Sequence, residues 1–356
     1  MLGIYGGALI NQVTENPSSL TFEDNKLVRD LVGTHNSHLN CIEKALNITI
    51  QNRGNEFTLH GEEEDVAAAN IVLNALWHKL EKGQDISLPE VEAAIRFARN
   101  EPQERLKGLN DKNRKTGSNQ PPAKTQSESL GSYLDESNII KTPRKTISPR
   151  SPHQAQYIEL MKDKDMVFAM GPGGTGKTYL AVAYAIKMYI AGEIERMIFT
   201  RPAVEAGENL GFLPGDIQEK IDPYLRPIYD ALFDVFQGDK VAKNTEKGNI
   251  EIAPLAFMRG RTLKNAFVLL DEAQNTTSAQ MKMFLTRMGE GSKMVITGDP
   301  SQIDLPPKNI SGLTESVDIL KNLKNVGFIN FTSKDVVRHK LVSEIIDAYD
   351  RHSNKK

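Results

Sequence analysis

Lys177 and Thr178 close the run Gly171-Pro172-Gly173-Gly174-Thr175-Gly176-Lys177-Thr178, and a lysine beside a hydroxyl after such a stretch is built to hold phosphate. Glycine has no Cβ, so consecutive backbone N–H groups can close on an anion. Lys177 would reach the β- and γ-phosphates of a nucleoside triphosphate, and the Thr178 hydroxyl would ligate Mg²⁺. All eight residues from Gly171 to Thr178 are therefore expected nucleotide contacts. A second reactive pair, Asp271-Glu272, follows the apolar run Phe267-Val268-Leu269-Leu270. A carboxylate at such a strand end holds Mg²⁺, directly or through water, which makes Thr178 and Asp271 the expected metal ligands. Glu272 would polarise the attacking water as general base. Third comes Gly298-Asp299-Pro300-Ser301-Gln302-Ile303, behind the run Met294-Val295-Ile296-Thr297. Gln302, a neutral donor and acceptor, suits a sensor of the γ-phosphate that also orients water, and Asp299 could tie its loop to the Mg²⁺ shell. Lys177, Asp271, Glu272 and Gln302 form the expected catalytic group.

Strands and helices must bring these segments together. Met166-Val167-Phe168-Ala169-Met170 reads as a buried strand entering the glycine run, and Leu180, Ala181, Ala183, Ala185, Ile186 and Tyr189 continue as one helix ending at Gly192. Strand, loop, helix aims the helix N-terminus at the anion. The strand ends at Asp271 and Gly298 would lie on the same side of a parallel sheet and converge on the ligand. Upstream, Gln154 can pair with adenine N6 and N7 or lie on a helix surface, and it is counted among the expected nucleotide contacts. Tyr157 can stack on the base or pack against the sheet. No Asn-Lys-x-Asp guanine reader follows Glu272, so ATP is expected rather than GTP.

At 356 residues there is room for two or three domains. The formal net charge of -2 leaves any nucleic-acid partner to local patches. The single cysteine, Cys41, fits a reducing compartment, as a small half-buried hydrophobe. The first ten residues lack the charge and apolar core of a signal peptide, and no stretch approaches the ~20 apolar residues of a membrane span. The chain reads as a soluble cytoplasmic protein with no membrane partner. Residues 1–19 form an N-terminal arm, and 20–100 a small α+β module in β-α-β-β-α order, similar to a KH module. Residues 101–138, rich in Lys, Asn, Ser, Gln, Gly and Pro, read as a flexible linker. Residues 139–352 form the P-loop domain, and 353–356 a tail. The fold class is α/β, a P-loop domain with a parallel sheet preceded by the small α+β module.

Longer runs carry a resemblance to a family. Thr200-Arg201-Pro202-Ala203-Val204-Glu205-Ala206-Gly207-Glu208-Asn209-Leu210-Gly211-Phe212-Leu213-Pro214-Gly215 is similar to the signature of PhoH-like ATPases. So are Asp222-Pro223-Tyr224-Leu225-Arg226-Pro227, Met258-Arg259-Gly260-Arg261-Thr262 and Leu270-Asp271-Glu272-Ala273-Gln274-Asn275. The match runs from about Ser148 to Tyr349, and the first hundred residues resemble the segment preceding it in shorter members. The family in turn resembles the first RecA-like domain of superfamily-one helicases, without their second such domain. The resemblance implies ATPase activity in RNA metabolism, ring-like homo-oligomers, and action beside a small endoribonuclease in RNA and ribosome maturation. Phe331-Thr332-Ser333-Lys334-Asp335-Val336-Val337-Arg338 resembles the helicase strand-and-arginine element. Arg338 is thus a candidate arginine finger in cis and joins the expected catalytic group; Arg287, Arg259 or Arg261 of a neighbouring subunit are candidates in trans.

Nucleic-acid contacts are expected at Thr200, Arg201, Arg259 and Arg261, which match helicase elements that hold a single-strand backbone. Phe257 and Tyr224 could stack bases. The same residues would also serve subunit packing. In the small module the backbone-clamping Gly-x-x-Gly loop is not intact, since Gly33-Thr34-His35-Asn36 lacks its second glycine, so that module grips RNA or docks a protein. Two functions follow: ATP turnover that remodels or moves along RNA, or an ATP-dependent switch that sets partner assembly. A small-molecule kinase is disfavoured by the Gly-Asp-x-x-Gln motif and the long loop after Thr200.

Overall fold

The computed structural model describes residues 18–99, 136–202, 217–306 and 310–337, with Val342 and Ile345, leaving aside the side chains of residues 217–223. Its packing separates into two compact units that divide near residue 136, with Arg150–Pro152 grouped with the first.

The first unit holds β1 (Ser18–Thr21), α1 (Asn25–Val32), α2 (Ser37–Leu46), β2 (Thr49–Arg53), β3 (Glu56–His60), α3 (Glu63–Glu81) and α4 (Leu88–Arg99). The strands form an antiparallel sheet in the order β1-β3-β2. Ile50, Phe57 and Leu59, alternating along their strands, turn to one buried face, as period-two spacing requires. Phe22 stacks on Trp77 of α3 at 4.6 Å, and meets Phe57 edge-on at 5.4 Å. Asp24 caps α1 by accepting the Lys26 N–H at 2.8 Å. Between α1 and α2, Gly33, His35 and Asn36 have φ of 75°, 52° and 58°. Asparagine enters this left-handed region more readily than most residues, so Asn36 makes the backbone turn without the second glycine.

The second unit begins with β4 (Ile140–Lys141), β5 (Thr146–Ile147) and α5 (Pro152–Asp163). Then come β6 (Met166–Met170), α6 (Lys177–Ile190), β7 (Arg196–Arg201), α7 (Ile217–Val235) and α8 (Gly238–Glu246). They are followed by β8 (Ile250–Pro254), β9 (Ala266–Leu270), α9 (Ser278–Leu285), β10 (Lys293–Gly298), α10 (Gly312–Leu320) and β11 (Val326–Asn330). Six strands form one parallel sheet in the order β11-β6-β10-β9-β7-β8. β6 and β9 are buried at all five positions, which explains their continuous apolar runs. Val167, Ala169, Phe267, Leu269 and Val295 join one core with α6 and α7, whereas Phe168, Met170, Val268, Leu270 and Ile296 join the other with α9. The α/β class expected from sequence is the observed one.

Every strand of this sheet runs the same way, so the ends of β6, β7, β9 and β10 open on one edge. Gly171, Pro202, Asp271 and Asp299 are the first residues beyond them. Ligands of open parallel sheets bind along this edge.

Candidate active site

Three glycines shape the loop after β6. Gly171, Gly174 and Gly176 have φ of 134°, 81° and 82°, and a Cβ on Gly171 would lie 2.4 Å from the Phe331 carbonyl oxygen. Only glycine fits there. The loop is tied on both sides: Gly171 N–H donates to Gly298 O at 3.1 Å, and Val337 N–H donates to Gly174 O at 3.0 Å. Lys177 Nζ donates to Gly171 O at 2.6 Å and Pro172 O at 2.8 Å, which keeps the ammonium inside the curl where phosphate would sit. Gln154, buried on α5, donates from Nε2 to Thr175 O at 3.0 Å and so braces the loop from beneath. That contact favours a supporting role over the adenine contact expected from sequence. Tyr157 resolves its two alternatives by packing. It is fully buried edge-on to Phe331, with its hydroxyl donating to Lys177 O, and burial pushes its phenol well above the ordinary value.

The expected metal ligands meet directly. Thr178 Oγ1 donates to Asp271 Oδ1 at 2.7 Å, and Thr297 Oγ1 donates to the same oxygen at 2.7 Å. Asp271 itself is buried at the end of β9. Among the described residues no three His, Cys, Asp or Glu side chains cluster into an all-protein metal cage. One hydroxyl with one carboxylate fits Mg²⁺, a hard cation that keeps waters and takes its other ligands from phosphates.

Glu272 has a left-handed backbone, φ 52°, a conformation that costs a non-glycine residue of order 1–3 kcal/mol and clusters at functional sites. Its carboxylate is held at both oxygens. Gln274 Nε2 donates to Oε2 at 2.6 Å, and the Arg201 guanidinium lies 3.3 Å from Oε1. Gln274 is buried, and its own Oε1 accepts the backbone N–H of Asp299 at 3.0 Å. One amide therefore connects Glu272 to the loop after β10. In that loop Asp299 Oδ1 accepts from the Ser301 N–H and hydroxyl, and Oδ2 accepts from Gln302 Nε2 at 2.7 Å. Asp299 thus shapes the loop and aims Gln302, a use closer than the Mg²⁺ shell expected for it.

Lys177, Thr178, Asp271, Glu272, Asp299 and Gln302 line one cavity of about 530 Å³. The lining also includes Asp230, Ala231 and Asp234 of α7, and Tyr179. Tyr179 donates its hydroxyl to Asp234 at 2.8 Å, and the hydrogen bond from Lys145 holds the Asp234 carboxyl below its usual value.

The residues expected at nucleic acid scatter. Thr200 is fully buried between β8 and β9, its hydroxyl without a partner, so it presents nothing to RNA. A strand-end threonine reads as accessible from sequence; on a central strand of the sheet, paired on both sides, Thr200 is instead fully buried. Arg201 faces the nucleotide cavity, not the outer surface. Arg261 forks onto Glu251 at 2.5 and 2.7 Å, and that bonding raises its already high pKa. Arg287 is committed to the carbonyls of Met283 and Arg261 and the Thr286 hydroxyl. Tyr224 contributes its carbonyl to Arg201 at 2.9 Å. Arg259 and Phe257 are exposed on the turn after β8. Arg338, residues 203–216 and the linker to residue 135 lie outside the described residues.

Two residues at this site were not expected there from sequence: Gln274, which holds Glu272, and Arg201, which was expected at nucleic acid and lies against Glu272.

Known proteins carry the same arrangement of sequence. A family model described as PhoH-like protein matches residues 146–350. The chain is 45% identical to a PhoH-like protein of Bacillus subtilis over 97% of this chain and 98% of that one. It is 47% identical to a PhoH-like protein of Mycobacterium tuberculosis, strain H37Rv, over 92% of this chain and 86% of the other. Among solved structures, the ADP complex of the large terminase of a thermophilic bacteriophage overlaps 52% of this chain and 45% of its own, with 15% identity and a TM-score of 0.34. No helix among the described residues is long and apolar enough to cross a membrane. With a nucleotide-binding P-loop at the edge of its parallel sheet, and relatives that match it along nearly their whole length, the chain belongs to the PhoH-like protein family.

Proposed function

We propose that this protein is an ATPase of RNA metabolism, which hydrolyses ATP to ADP and phosphate in order to remodel or process RNA. One observation carries the hydrolysis: Lys177, Thr178, Asp271, Glu272 and Gln302 line a single cavity, where the phosphate loop meets a carboxylate borne on a left-handed backbone. Thr178 and Asp271 would hold Mg²⁺, which supplies charge neutralisation at the phosphates. Glu272 takes a proton from water as the water oxygen bonds to the γ-phosphorus. The bond from that phosphorus to the β,γ-bridging oxygen breaks, and its electron pair leaves with ADP. Gln302 orients the water and reads whether the γ-phosphate is there.

RNA as the partner is supported by Phe257 and Arg259, exposed two residues apart, a pairing that suits stacking and phosphate contact. In a homo-oligomeric ring the same Arg259 is the free candidate for an arginine finger in trans, since Arg261 and Arg287 are internally paired. Arg338 remains the candidate in cis from the resemblance. An endoribonuclease partner and a cytoplasmic site of action rest on the resemblance and composition alone.

The test is ATP turnover by the full chain, with and without structured RNA, beside its mass in solution. Glu272→Gln should keep ATP bound and stall hydrolysis; turnover at the wild-type rate would remove Glu272 as the base. A second reading has an observation in its favour. Both Glu272 oxygens are engaged, by Gln274 and Arg201, an arrangement that suits slow turnover and a nucleotide-dependent switch for partner assembly. Stimulation of hydrolysis by RNA supports the first reading; unstimulated hydrolysis with nucleotide-dependent partner binding supports the second.

A further inference from the structure

Among the described residues, two cationic side chains line the nucleotide cavity: Lys177 and Arg201. Lys177 belongs to the phosphate loop. We propose that Arg201 is a catalytic residue, a cation from within this chain that stabilises the negative charge developing on the γ-phosphoryl group as ATP is hydrolysed. The inference rests on the ATPase reading above and deepens it.

Its position follows from Glu272. A general base must lie about 2.6–3.2 Å from the water that it deprotonates. That water stands about 3–3.5 Å from the atom that it attacks. The Arg201 guanidinium lies 3.3 Å from Glu272 Oε1, so it flanks the space that the γ-phosphoryl group and the water must share. Its origin is rigid. Arg201 ends β7, beside Leu270 and Asp271 at the end of β9, and the Asp271 N–H donates to Thr200 O at 2.9 Å. Its other terminal nitrogen donates to Tyr224 O at 2.9 Å on α7, one bond that keeps the side chain beside the cavity.

The chemistry suits a change of partner. Toward Glu272 the guanidinium makes one 3.3 Å ion pair between partly exposed groups. Pairs of that kind contribute little. A γ-phosphoryl group carries more charge and offers two oxygens to the planar fork, a geometry arginine binds bidentately. When the fork turns to those oxygens, Glu272 Oε1 is released to accept the proton from water. The γ-phosphorus then gains the water oxygen and loses the bridging oxygen, whose electron pair departs with ADP. Arg201 loses no proton and forms no covalent bond.

Two other uses of Arg201 predict different outcomes. A contact to RNA backbone would leave basal hydrolysis intact when removed. A restraint on Glu272 would let hydrolysis rise. The experiment compares wild type with Arg201→Gln, which keeps the stem as far as Cδ and removes the charge and the fork. Hydrolysis, fluorescent ADP binding, tightening of ADP by aluminium fluoride, and binding of an oligo-uridine strand are measured. We expect hydrolysis to fall by about 10³-fold, with ADP affinity within twofold and the aluminium fluoride effect lost. Hydrolysis at or above the wild-type rate overturns the proposal, and so does wild-type hydrolysis with lost oligo-uridine binding. Should Arg201→Gln not fold, Arg201→Lys serves, since it keeps charge but not the fork. A drop of tenfold or more at unchanged ADP affinity supports the proposal, and an unchanged rate overturns it. The wild-type rate alone tests the ATPase reading. If wild type turns over too slowly, the aluminium fluoride effect in wild type against its loss in the variant still tests Arg201.

Discussion

Lys177 shows how far a contiguous motif carries. Its ammonium is already curled into the phosphate loop by the carbonyls of Gly171 and Pro172, so the site needs only to exchange those acceptors for phosphate oxygens. Lys177→Ala removes a charge-assisted bond to phosphate, which contributes of order 1.5–3 kcal/mol. ADP affinity should fall by roughly 10- to 150-fold by fluorescence titration; an affinity within threefold of wild type would show that the loop binds without its lysine. Lys177, Thr178, Asp271 and Glu272 were legible because each sits within a few residues of the apolar strand that positions it. Arg201 and Thr200 were not. Their meaning depends on β8, on β9 and on Glu272, 71 residues further along, and adjacent letters gave the two a shared role that the fold splits. Arg261 is a similar case: its carboxylate partner, Glu251, lies on β8, ten residues earlier.

At the scale of elements, the strands were readable from their apolar runs, but the link between their ends was not. Gln274 follows β9, and its amide joins Glu272 to the backbone of Asp299 at the end of β10. In sequence it is one polar residue after Asp-Glu; burial and two partners, one of them 25 residues further along the chain, give it a task. If the link positions the base and Gln302 together, Gln274→Leu should lower kcat by roughly tenfold or more while ADP affinity stays within twofold. That factor corresponds to loss of one or two hydrogen bonds to charged or buried groups. Gly298 offers an independent handle. A Cβ there would meet Gln274 Oε1 at 2.8 Å and Leu313 Cδ2 at 2.7 Å, so Gly298→Ala should push the amide aside and mimic the leucine variant. Overpacking should also cost about 1–3 kcal/mol in urea unfolding. Combining Gln274→Leu with Gln302→Ala supplies the decisive comparison, because residues acting through one loop are not additive. Fully additive losses in kcat would mean that the two glutamines act separately.

At the scale of the molecule, each unit has a core of its own. The first gathers Phe22, Phe57, Leu59 and the inner faces of α3 and α4, and the second encloses its parallel sheet between two apolar layers. Every side chain placed at the nucleotide cavity belongs to the second unit. A chain beginning at Glu136 should therefore fold cooperatively and bind ADP within about threefold of the full protein. Failure to fold would show that the second core depends on the first. The same truncation separates the alternatives for the small unit, whose α1–α2 turn keeps a left-handed backbone at Asn36 but carries a side chain where a clamping glycine would carry none. If that turn grips RNA, removing residues 1–135 should abolish RNA stimulation of hydrolysis and flatten the salt dependence of RNA binding, since fewer phosphates would be neutralised. If the unit docks a protein instead, stimulation and salt dependence should survive truncation, because Phe257 and Arg259 remain on the second unit. ATPase rates of both chains, measured with structured RNA across a salt series, decide between them.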